Sequence, residues 1–332
     1  MRRCRYIASL LVVAFIALAS VRSAAQSTDV ILGQYYEATP FYNPAASGAT
    51  DYLRIRGGAR LQWIGIDNAP MNFLAVADMP FRINKQRFGT GVVLNSEKIG
   101  LFTNMSAKVE LSYKIKLFKG VLSIGAEGAY VNQKFRGTDV VLPDEDDYHQ
   151  STDEAIPTQD VNGSTFDLGL GIWYTKGEWW AGFSGAHLLQ PSIRLKLEST
   201  SGESSDMEYY ETELARTLYF MGGGNIHIKN TLFELQPSLL AAYDFADFTG
   251  EADLRVRYNK MFSFGVGYRW KSALKATLGA EIKNFFLGYT YEYPLSSIAK
   301  ASSGSHEILA GYRLKIDLGK QNRNKHRSIR LM

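Results

Sequence analysis

Alternation of apolar and polar residues runs through most of this 332-residue chain and constrains its fold more than any other feature. Successive strand side chains point to opposite faces, so a period of two predicts strands with one apolar and one polar or glycine-rich face. In residues 262–270, Phe, Phe, Val, Tyr and Trp alternate with Ser, Gly, Gly and Arg. Such stretches recur about fourteen times without any pattern typical of an amphipathic helix between them. They begin near Tyr52, Asn72, Phe88, Phe102, Val121, Thr165, Trp179, Leu214, Leu232, Thr249, Met261, Ala273, Phe285 and His306.

The length of these stretches favours a transmembrane β-barrel over a soluble sandwich or barrel, whose strands also alternate. Many run for roughly ten residues; globular strands average about five or six, whereas transmembrane strands need about nine to eleven. Aromatic residues, 18 Phe, 19 Tyr and 5 Trp, often end the apolar faces, as in the interface girdles of membrane barrels. We therefore predict an all-β fold, a transmembrane antiparallel β-barrel of about 14 strands over residues 52–318. The girdle candidates are Trp63, Trp173, Tyr174, Trp179, Trp180, Tyr243, Tyr258, Trp270 and Tyr293.

The segments outside the predicted barrel differ from it in composition. Residues 1–25 are typical of a cleaved secretory signal peptide, with a basic start, an apolar run at 7–19 and small residues before the cut. The run is too short for a transmembrane helix, which needs about 20 apolar residues. Residues 26–51 are expected to lie on the periplasmic mouth or to enter the lumen as a plug. Residues 319–332 form a basic tail without acids, either disordered in the periplasm or bound to a partner; its cations are Lys320, Arg323, Lys325, Arg327 and Arg330.

Connections between the predicted strands alternate between tight, often basic turns and longer loops. The two longest, within residues 137–163 and 198–213, are acidic and contain neither Lys nor Arg. Outer-membrane barrels have short periplasmic turns and longer extracellular loops, so we expect the acidic loops outside and both termini in the periplasm. The loops are expected to be solvated, to bridge divalent ions to lipopolysaccharide, or to dock a basic partner. The candidate residues are Asp144, Glu145, Asp146, Asp147, Glu208, Glu211 and Glu213.

Charges of both signs lie on the polar faces of the predicted strands. They are expected to face the lumen, because a charge on the lipid face costs up to about 2–4 kcal/mol near the midplane. Mixed signs favour a cross-linked or plugged interior over an ion-selective conduit, although the sequence leaves open whether the lumen is open. These residues are Arg54, Arg56, Arg60, Glu110, Glu127, Asp167, Glu234, Asp253, Arg255, Arg257, Arg269, Glu281, Glu292, Glu307 and Arg313.

No pattern typical of an enzyme is present in the sequence. The five His residues are scattered, and neither a metalloprotease His-Glu-x-x-His motif, a Gly-x-Ser-x-Gly elbow nor a phosphate-binding loop occurs. The single cysteine, Cys4, excludes a disulfide framework and a cysteine-based zinc site. We expect no catalytic residues, no cofactor, no metal and no nucleic-acid partner. A lipid-cleaving barrel enzyme with His and Ser on neighbouring strands is the less favoured alternative.

Three short stretches form a jointly specific set that extends over the mature chain. The first stretch is Gln34-Tyr35 with Asn43-Pro44-Ala45-Ala46 and Gly48. The second is Arg60-Leu61-Gln62-Trp63 with Ala69-Pro70 and Asp78-Met79-Pro80-Phe81. The third is residues 286–293 with Ser302 to Leu309, and its most specific run is Gly304-Ser305-His306-Glu307. Together they resemble the PorP/SprF family of outer-membrane barrels from the type IX secretion system. The long acidic loops and the basic tail depart from the family pattern and leave the cargo and partner open.

This resemblance implies a non-enzymatic outer-membrane component, needed for export or surface attachment of cargo with C-terminal sorting domains. It would act by contacts with outer-membrane and periplasmic subunits and with secreted cargo or an adhesin, since some members are paired with a gliding adhesin. The alternative is an outer-membrane diffusion channel or hydrophobic-solute transporter. Because first and last strands pair to close a barrel, the motifs would mark the seam and either guide closure or touch cargo. The family-motif candidates are Asn43, Pro44, Arg60, Trp63, Pro80, Phe81, Gly304, Ser305, His306 and Glu307.

Overall fold

The computed structural model describes residues 30–140, 157, 159–197 and 210–318. Short one-turn 3-10 helices occur at Tyr35–Glu37, Thr39–Phe41, Pro44–Ala46, Gly137–Asp139 and Ser297–Lys300. Among the residues described, no helix is long and apolar enough to cross a membrane. The strands are β1 (Tyr52–Leu61), β2 (Met71–Ile83), β3 (Gln86–Ile99), β4 (Phe102–Leu117), β5 (Gly120–Phe135), β6 (Val161–Lys176), β7 (Trp179–Ala186), β8 (Ser192–Leu197), β9 (Tyr210–Glu213), β10 (Thr217–Gly224), β11 (Ile226–His227), β12 (Phe233–Tyr243), β13 (Phe248–Tyr258), β14 (Phe262–Arg269), β15 (Ala273–Ile282), β16 (Phe285–Pro294) and β17 (Ser305–Lys315).

These strands form a closed antiparallel sheet. The last strand, β17, pairs with β1 in a register that runs from Tyr52 opposite Lys315 to Leu61 opposite His306. The β8–β9 hairpin lies beside the start of β6, and the two residues of β11 pair with β12 next to β10. The remaining strands make a closed β-barrel of 14 strands, which confirms the predicted fold class.

The two mouths of the barrel are built differently. One, which we call the tight-turn mouth, contains two-residue hairpin turns and also the start of β1 and the end of β17. Phe118 and Lys119 have φ values of 48° and 61°, and Asn259 and Lys260 have 50° and 55°. Two successive positive φ values are typical of the type I′ turn that matches strand twist. The opposite end, the long-loop mouth, contains the connections that follow β1, β5, β7 and β16.

Side chains in the barrel wall sort by the alternation. Phe73, on the outside, is 49% exposed, whereas Lys108 and Glu110, on the inside, are 2% and 1% exposed. Trp173 and Trp180 are exceptions among the predicted girdle aromatics, because both lie on the inner face, where their ring centroids stack 4.8 Å apart. Trp173 stands an even number of residues after the inward carboxylate Asp167, and Trp180 stands an even number before the inward Ser184, so strand parity places both rings inside.

Residues 30–49 lie inside the barrel, and we call them the plug. Val30 lines a cavity at the long-loop mouth together with Trp63. At the other end, Gly48 packs against the backbone of Gly89 near the tight-turn mouth. The plug therefore runs along the barrel axis from one mouth to the other.

This path separates the two ends of the described chain. Val30 lies at the long-loop mouth, whereas Lys315 ends β17 at the tight-turn mouth. Both termini lie outside the described residues, so the expectation that they face the periplasm stays a prediction. The plug can cross the barrel because an extended chain covers about 3.3 Å per residue, so residues 30–49 suffice even with three helical turns.

Candidate functional site

The Asn43-Pro44 motif docks the plug onto β6. The Asn43 side chain accepts a hydrogen bond from the Ala45 N–H at 2.9 Å and so caps the helical turn. Pro44 takes the first helical position, where its missing N–H leaves no bond unmade. The Asn43 amide also donates to the Ile172 carbonyl at 3.0 Å. A Cβ at Gly171 would collide with the Asn43 carboxamide, so glycine in the wall permits the docking.

Ser47 and Gly48 fasten the other end of the plug near the tight-turn mouth. The Ser47 carbonyl accepts a hydrogen bond from Lys114 Nζ at 3.0 Å, and its hydroxyl donates to Glu110. The Gly48 N–H donates to the Asp78 carboxylate at 2.8 Å. Three wall side chains thus hold two adjacent plug residues.

Ion pairs hold the middle of the plug. Glu37 lies 3.3 Å from an Arg56 nitrogen and 3.4 Å from an Arg255 nitrogen. The two guanidiniums compensate the charge of the Glu37 carboxylate, which would be costly to bury without a partner. The Arg255 guanidinium also lies 3.4 Å from the ring centroid of Tyr36, a cation–π contact. These contacts tie the middle of the plug to β1 and β13.

A second network joins the plug to the seam between β1 and β17. Glu307 of β17 accepts hydrogen bonds from the backbone N–H groups of Gly33, at 2.6 Å, and Gln34, at 2.9 Å. Arg60 stands opposite Glu307 in the register and donates two hydrogen bonds of 2.7 Å to Glu292. The predicted motif residues Arg60 and Glu307 therefore meet at the closing seam.

Arg269 and Lys275 extend this network around the inner wall. Arg269 donates to Glu251 at 2.6 Å and to Glu292 at 3.1 Å. Lys275 donates to the Gly33 carbonyl at 2.6 Å and pairs with Glu251. Each buried ion costs several kcal/mol unless it is paired, so the alternating signs make these charges mutually dependent.

The start of the Gly304–Glu307 run ties two long-loop connections together. Gly304 has φ +97°, a conformation that favours glycine, and its carbonyl accepts a hydrogen bond from the Ile64 N–H at 2.8 Å. The Ser305 hydroxyl accepts one from the Trp63 N–H at 3.1 Å. Trp63, Gly304 and Ser305 are thereby brought together at the long-loop mouth.

The remaining motif residues do not all converge. His306 lies on the opposite face of β17 from Glu307, and its Nδ1 is 2.7 Å from the Tyr289 hydroxyl. Pro80 and Phe81 stand near the end of β2 at the tight-turn mouth, away from the seam network. The structure therefore divides the ten candidates between a seam cluster, a plug anchor, the separate pair Pro80 and Phe81, and His306 on the outer face of β17.

The predicted acidic and basic candidates lie mostly outside the described residues. Glu211 and Glu213 belong to β9, and Glu211 is 3.6 Å from Arg194 in an exposed pair that contributes little stability. In the ranges that the structure describes, no group of three His, Cys, Asp or Glu residues could hold a metal. Outside them lie residues 1–25, Asp144, Glu145, Asp146, Asp147, Glu208, Lys320, Arg323, Lys325, Arg327 and Arg330.

The candidate residues predicted from sequence did not include several that fasten the plug to the wall: Glu37, Asp78, Lys114, Glu251 and Lys275. Of these, Asp78 had been noted only as the first residue of the Asp78–Phe81 motif stretch. The alternation already placed Lys114 and Lys275 on the polar side of their strands. It did not reveal that they contact the plug, because the plug has no alternation from which its partners could be read.

Solved structures similar to this chain include outer-membrane proteins of low sequence identity. The toluene transporter TodX of Pseudomonas putida is 11% identical with a TM-score of 0.46, over 87% of this chain and 95% of that chain. A FadL homologue from Pseudomonas aeruginosa is 9% identical with a TM-score of 0.46, over 83% and 93%. Omp33 of Acinetobacter baumannii is 7% identical with a TM-score of 0.43, over 79% and 99%. Similarity at this level carries no information about function.

Sequence comparison is more specific. A search of curated proteins found no significant match. The profile of a family described as "Type IX secretion system membrane protein PorP/SprF" matches residues 24–312. This span includes the plug, the seam residues and all but the last residues of β17. The chain therefore belongs to the PorP/SprF family of type IX secretion system membrane proteins, as its motifs predicted.

Proposed function

We propose that this outer-membrane barrel works in type IX secretion through protein–protein contacts and does not conduct cargo through its own lumen. Family membership supports a membrane component of a multi-subunit machine. The observation that carries the proposal is the filled lumen, in which Tyr35, Phe41, Tyr42 and Ala45 of the plug are at most 2% exposed. A barrel filled in this way offers its mouths and outer wall to other proteins.

The proposed cargo is secreted protein with a C-terminal sorting domain, which this barrel helps to export or to attach at the surface. The motif residues divide by accessibility. Asn43, Arg60 and Glu307 are buried and bound within the molecule, which supports a role in holding the plug and the seam. Trp63 and His306 lie nearer the surface and are the better candidates for partner contact.

We propose that the tight-turn mouth faces the periplasm and the long-loop mouth faces outward, as in other outer-membrane barrels. Residues 319–332 would then form a periplasmic tail, and the acidic loops would face the exterior. Residues 1–25 would act as a cleaved signal, because a chain with Val30 near the outer surface is incompatible with a signal still held in the inner membrane.

A diffusion channel or hydrophobic-solute transporter is the second candidate. A cavity of about 590 Å³ at the long-loop mouth, lined by Val30, Trp63 and Tyr243, supports it as an opening where a small apolar molecule would enter. The filled lumen beneath this cavity favours the secretion role.

Deletion of the gene tests the proposed function. We expect proteins with C-terminal sorting domains to disappear from the culture supernatant, and to return when the native chain is supplied. A chain carrying the exposed substitution Lys229→Gln serves as the matched control and should restore secretion equally. Unchanged secretion of such cargo in the deletion strain would contradict the proposal.

A further inference from the structure

A cavity of about 550 Å³ at the tight-turn mouth has an unusually basic lining. Arg87, Lys114, Lys116 and Lys119 line it. In the described part of the chain, only Arg87 of these four has a carboxylate partner, Asp51. Cations that line one cavity and lack counter-ions repel one another, so they favour an anion between them.

Lys114 gives the strongest evidence that the cavity suits an anion. Its residue is 6% exposed, and its ammonium donates to three neutral acceptors: the Ser47 carbonyl at 3.0 Å and the hydroxyls of Ser123 at 3.3 Å and Ser112 at 3.4 Å. No carboxylate among the described residues lies within 4.0 Å of it. A buried ammonium without a counter-ion is costly, even when its hydrogen bonds are made.

Other buried lysines of the inner wall are paired with a carboxylate of the wall. Lys108 lies 3.3 Å from Glu127, and Lys275 lies 2.9 Å from Asp253. The wall therefore supplies a carboxylate where the ammonium is enclosed by the plug. At Lys114 the space beside the ammonium is the cavity instead, and this arrangement suits a carboxylate that arrives from another molecule.

The position of the cavity indicates which anions can reach it. Ala49, the last plug residue, forms part of its lining, so the cavity lies on the lumen side of the wall. Lys114 and Lys116 share the inward face of β4, whereas Leu111 and Tyr113 point outward to the lipid. An anion therefore arrives from the water in the mouth, which favours a protein carboxylate over a lipid headgroup. The chain's own tail, residues 319–332, has five Lys and Arg residues and no acidic side chain, so it is repelled.

We propose that this cavity binds a carboxylate-rich segment of a partner protein at the tight-turn mouth. The inference rests on the proposed function in that it takes the barrel to act through protein contacts in the periplasm. Lys116 and Lys119 attract the acidic segment, and Lys114 pairs with one carboxylate inside the cavity.

The test is direct binding of a fluorescein-labelled hexaglutamate peptide to the purified full chain in phosphatidylcholine nanodiscs, followed by anisotropy. We expect binding that weakens with salt, and an approximately tenfold loss of affinity in the double variant Lys116→Gln/Lys119→Gln. The matched control is Lys229→Gln, an exposed lysine in a turn at the same mouth that does not line the cavity; it should bind as the native chain does. A labelled hexaglutamine peptide should not bind.

A second variant, Lys114→Met, probes the buried ammonium and should also weaken hexaglutamate binding. Equal affinity for the native chain and the double variant, or equal loss in Lys229→Gln, would overturn the proposal. The proposal would also be overturned if the peptide did not bind and, in nanodiscs made of phosphatidylglycerol, the cavity bound the lipid instead. That result would assign the site to a lipid headgroup. The peptide assay uses purified protein, so a failure to bind the peptide would refute the binding site alone. Normal secretion in the deletion strain would refute the proposed function, and the two results can be told apart.

Discussion

Arg60 of β1 and Glu307 of β17 stand opposite each other at the seam that closes the barrel, with Arg60 Nη1 3.8 Å from Glu307 Oε2. Each of the two side chains also forms hydrogen bonds with a different set of residues. Glu307 accepts the backbone N–H groups of Gly33 and Gln34, whereas Arg60 forms its shorter bonds with Glu292. Closure of the barrel and seating of the plug therefore depend on the same pair of charges.

Replacement of Glu307 with Ala should destabilise the barrel by about 3 kcal/mol, because it leaves the buried N–H groups of Gly33 and Gln34 without their acceptor and removes the second of the two carboxylates beside Arg60. Thermal unfolding of the purified protein in detergent measures this as a lower midpoint. The matched control is Glu213→Ala at an exposed carboxylate. Equal midpoints for the two variants would show that the seam network adds no stability.

Gly48→Ala should displace the plug from the wall. Gly48 has φ +61°, and an added Cβ would meet the Met79 carbonyl and the Gly89 backbone at 2.7 Å. Gly100→Ala is the matched control, since Gly100 has φ +57° and nothing within 4 Å of the added Cβ. The control should lose only the conformational cost of about 1 kcal/mol, and Gly48→Ala should lose more in denaturant unfolding. Identical losses would mean that the close approach to the wall is unimportant.

Removal of residues 30–49 should open the lumen to ions. The native chain is expected to show little steady conductance in a planar bilayer, because the plug and its ion pairs occupy the lumen. The deletion variant should produce a large, steady conductance if the empty barrel stays folded. Folding is checked by the change in gel mobility between unheated and heated samples of the variant. A large steady pore in the native chain would instead favour the diffusion-channel alternative.

Removal of the Glu37 charge should weaken the middle of the plug. Glu37→Gln keeps the size of the side chain but takes the carboxylate away from the guanidiniums of Arg56 and Arg255. We expect a loss of roughly 3 kcal/mol, seen as a lower thermal unfolding midpoint at neutral pH, because breaking a buried ion pair leaves the remaining charge uncompensated. Glu213→Gln, at an exposed carboxylate, is the matched control. Equal midpoints for Glu37→Gln and the control would refute the ionic role of Glu37.

The proposed orientation predicts which surface cysteines react on intact cells. The only native cysteine is Cys4, within the predicted signal. Lys300→Cys, at the long-loop mouth, should react with an impermeant thiol reagent, and Lys229→Cys, at the tight-turn mouth, should be protected. Both should react after cell lysis, and the reverse pattern on intact cells would invert the topology.

Local patterning made the barrel wall predictable from sequence. The alternation in stretches such as 262–270 depends only on neighbouring residues, and the structure places β14 there. The same parity would have placed Trp173 inside, but its aromatic character suggested an interface position. Turn residues with positive φ, such as Lys119, likewise follow from hairpin length.

The plug was less predictable, because its contacts join residues far apart in sequence. The Asn43-Pro44 motif was recognised only as part of the family pattern, and nothing near it in sequence indicates that Ile172 accepts its hydrogen bond. The lumen path of residues 30–49 likewise depends on the shape of the closed barrel. For this reason the sequence predicted the barrel, but it did not predict that Val30 and Lys315 lie at opposite mouths.

A plug that runs the full length of the lumen has a mechanical consequence. The chain that precedes Val30 is continuous, through the plug, with β1, whose first residue lies at the opposite mouth. Tension applied at one surface of the membrane is therefore transmitted along the barrel axis to the other surface, while the wall stays closed. Because the Gly33 N–H is hydrogen-bonded to Glu307 of β17, a force on the plug from either side also acts on the seam.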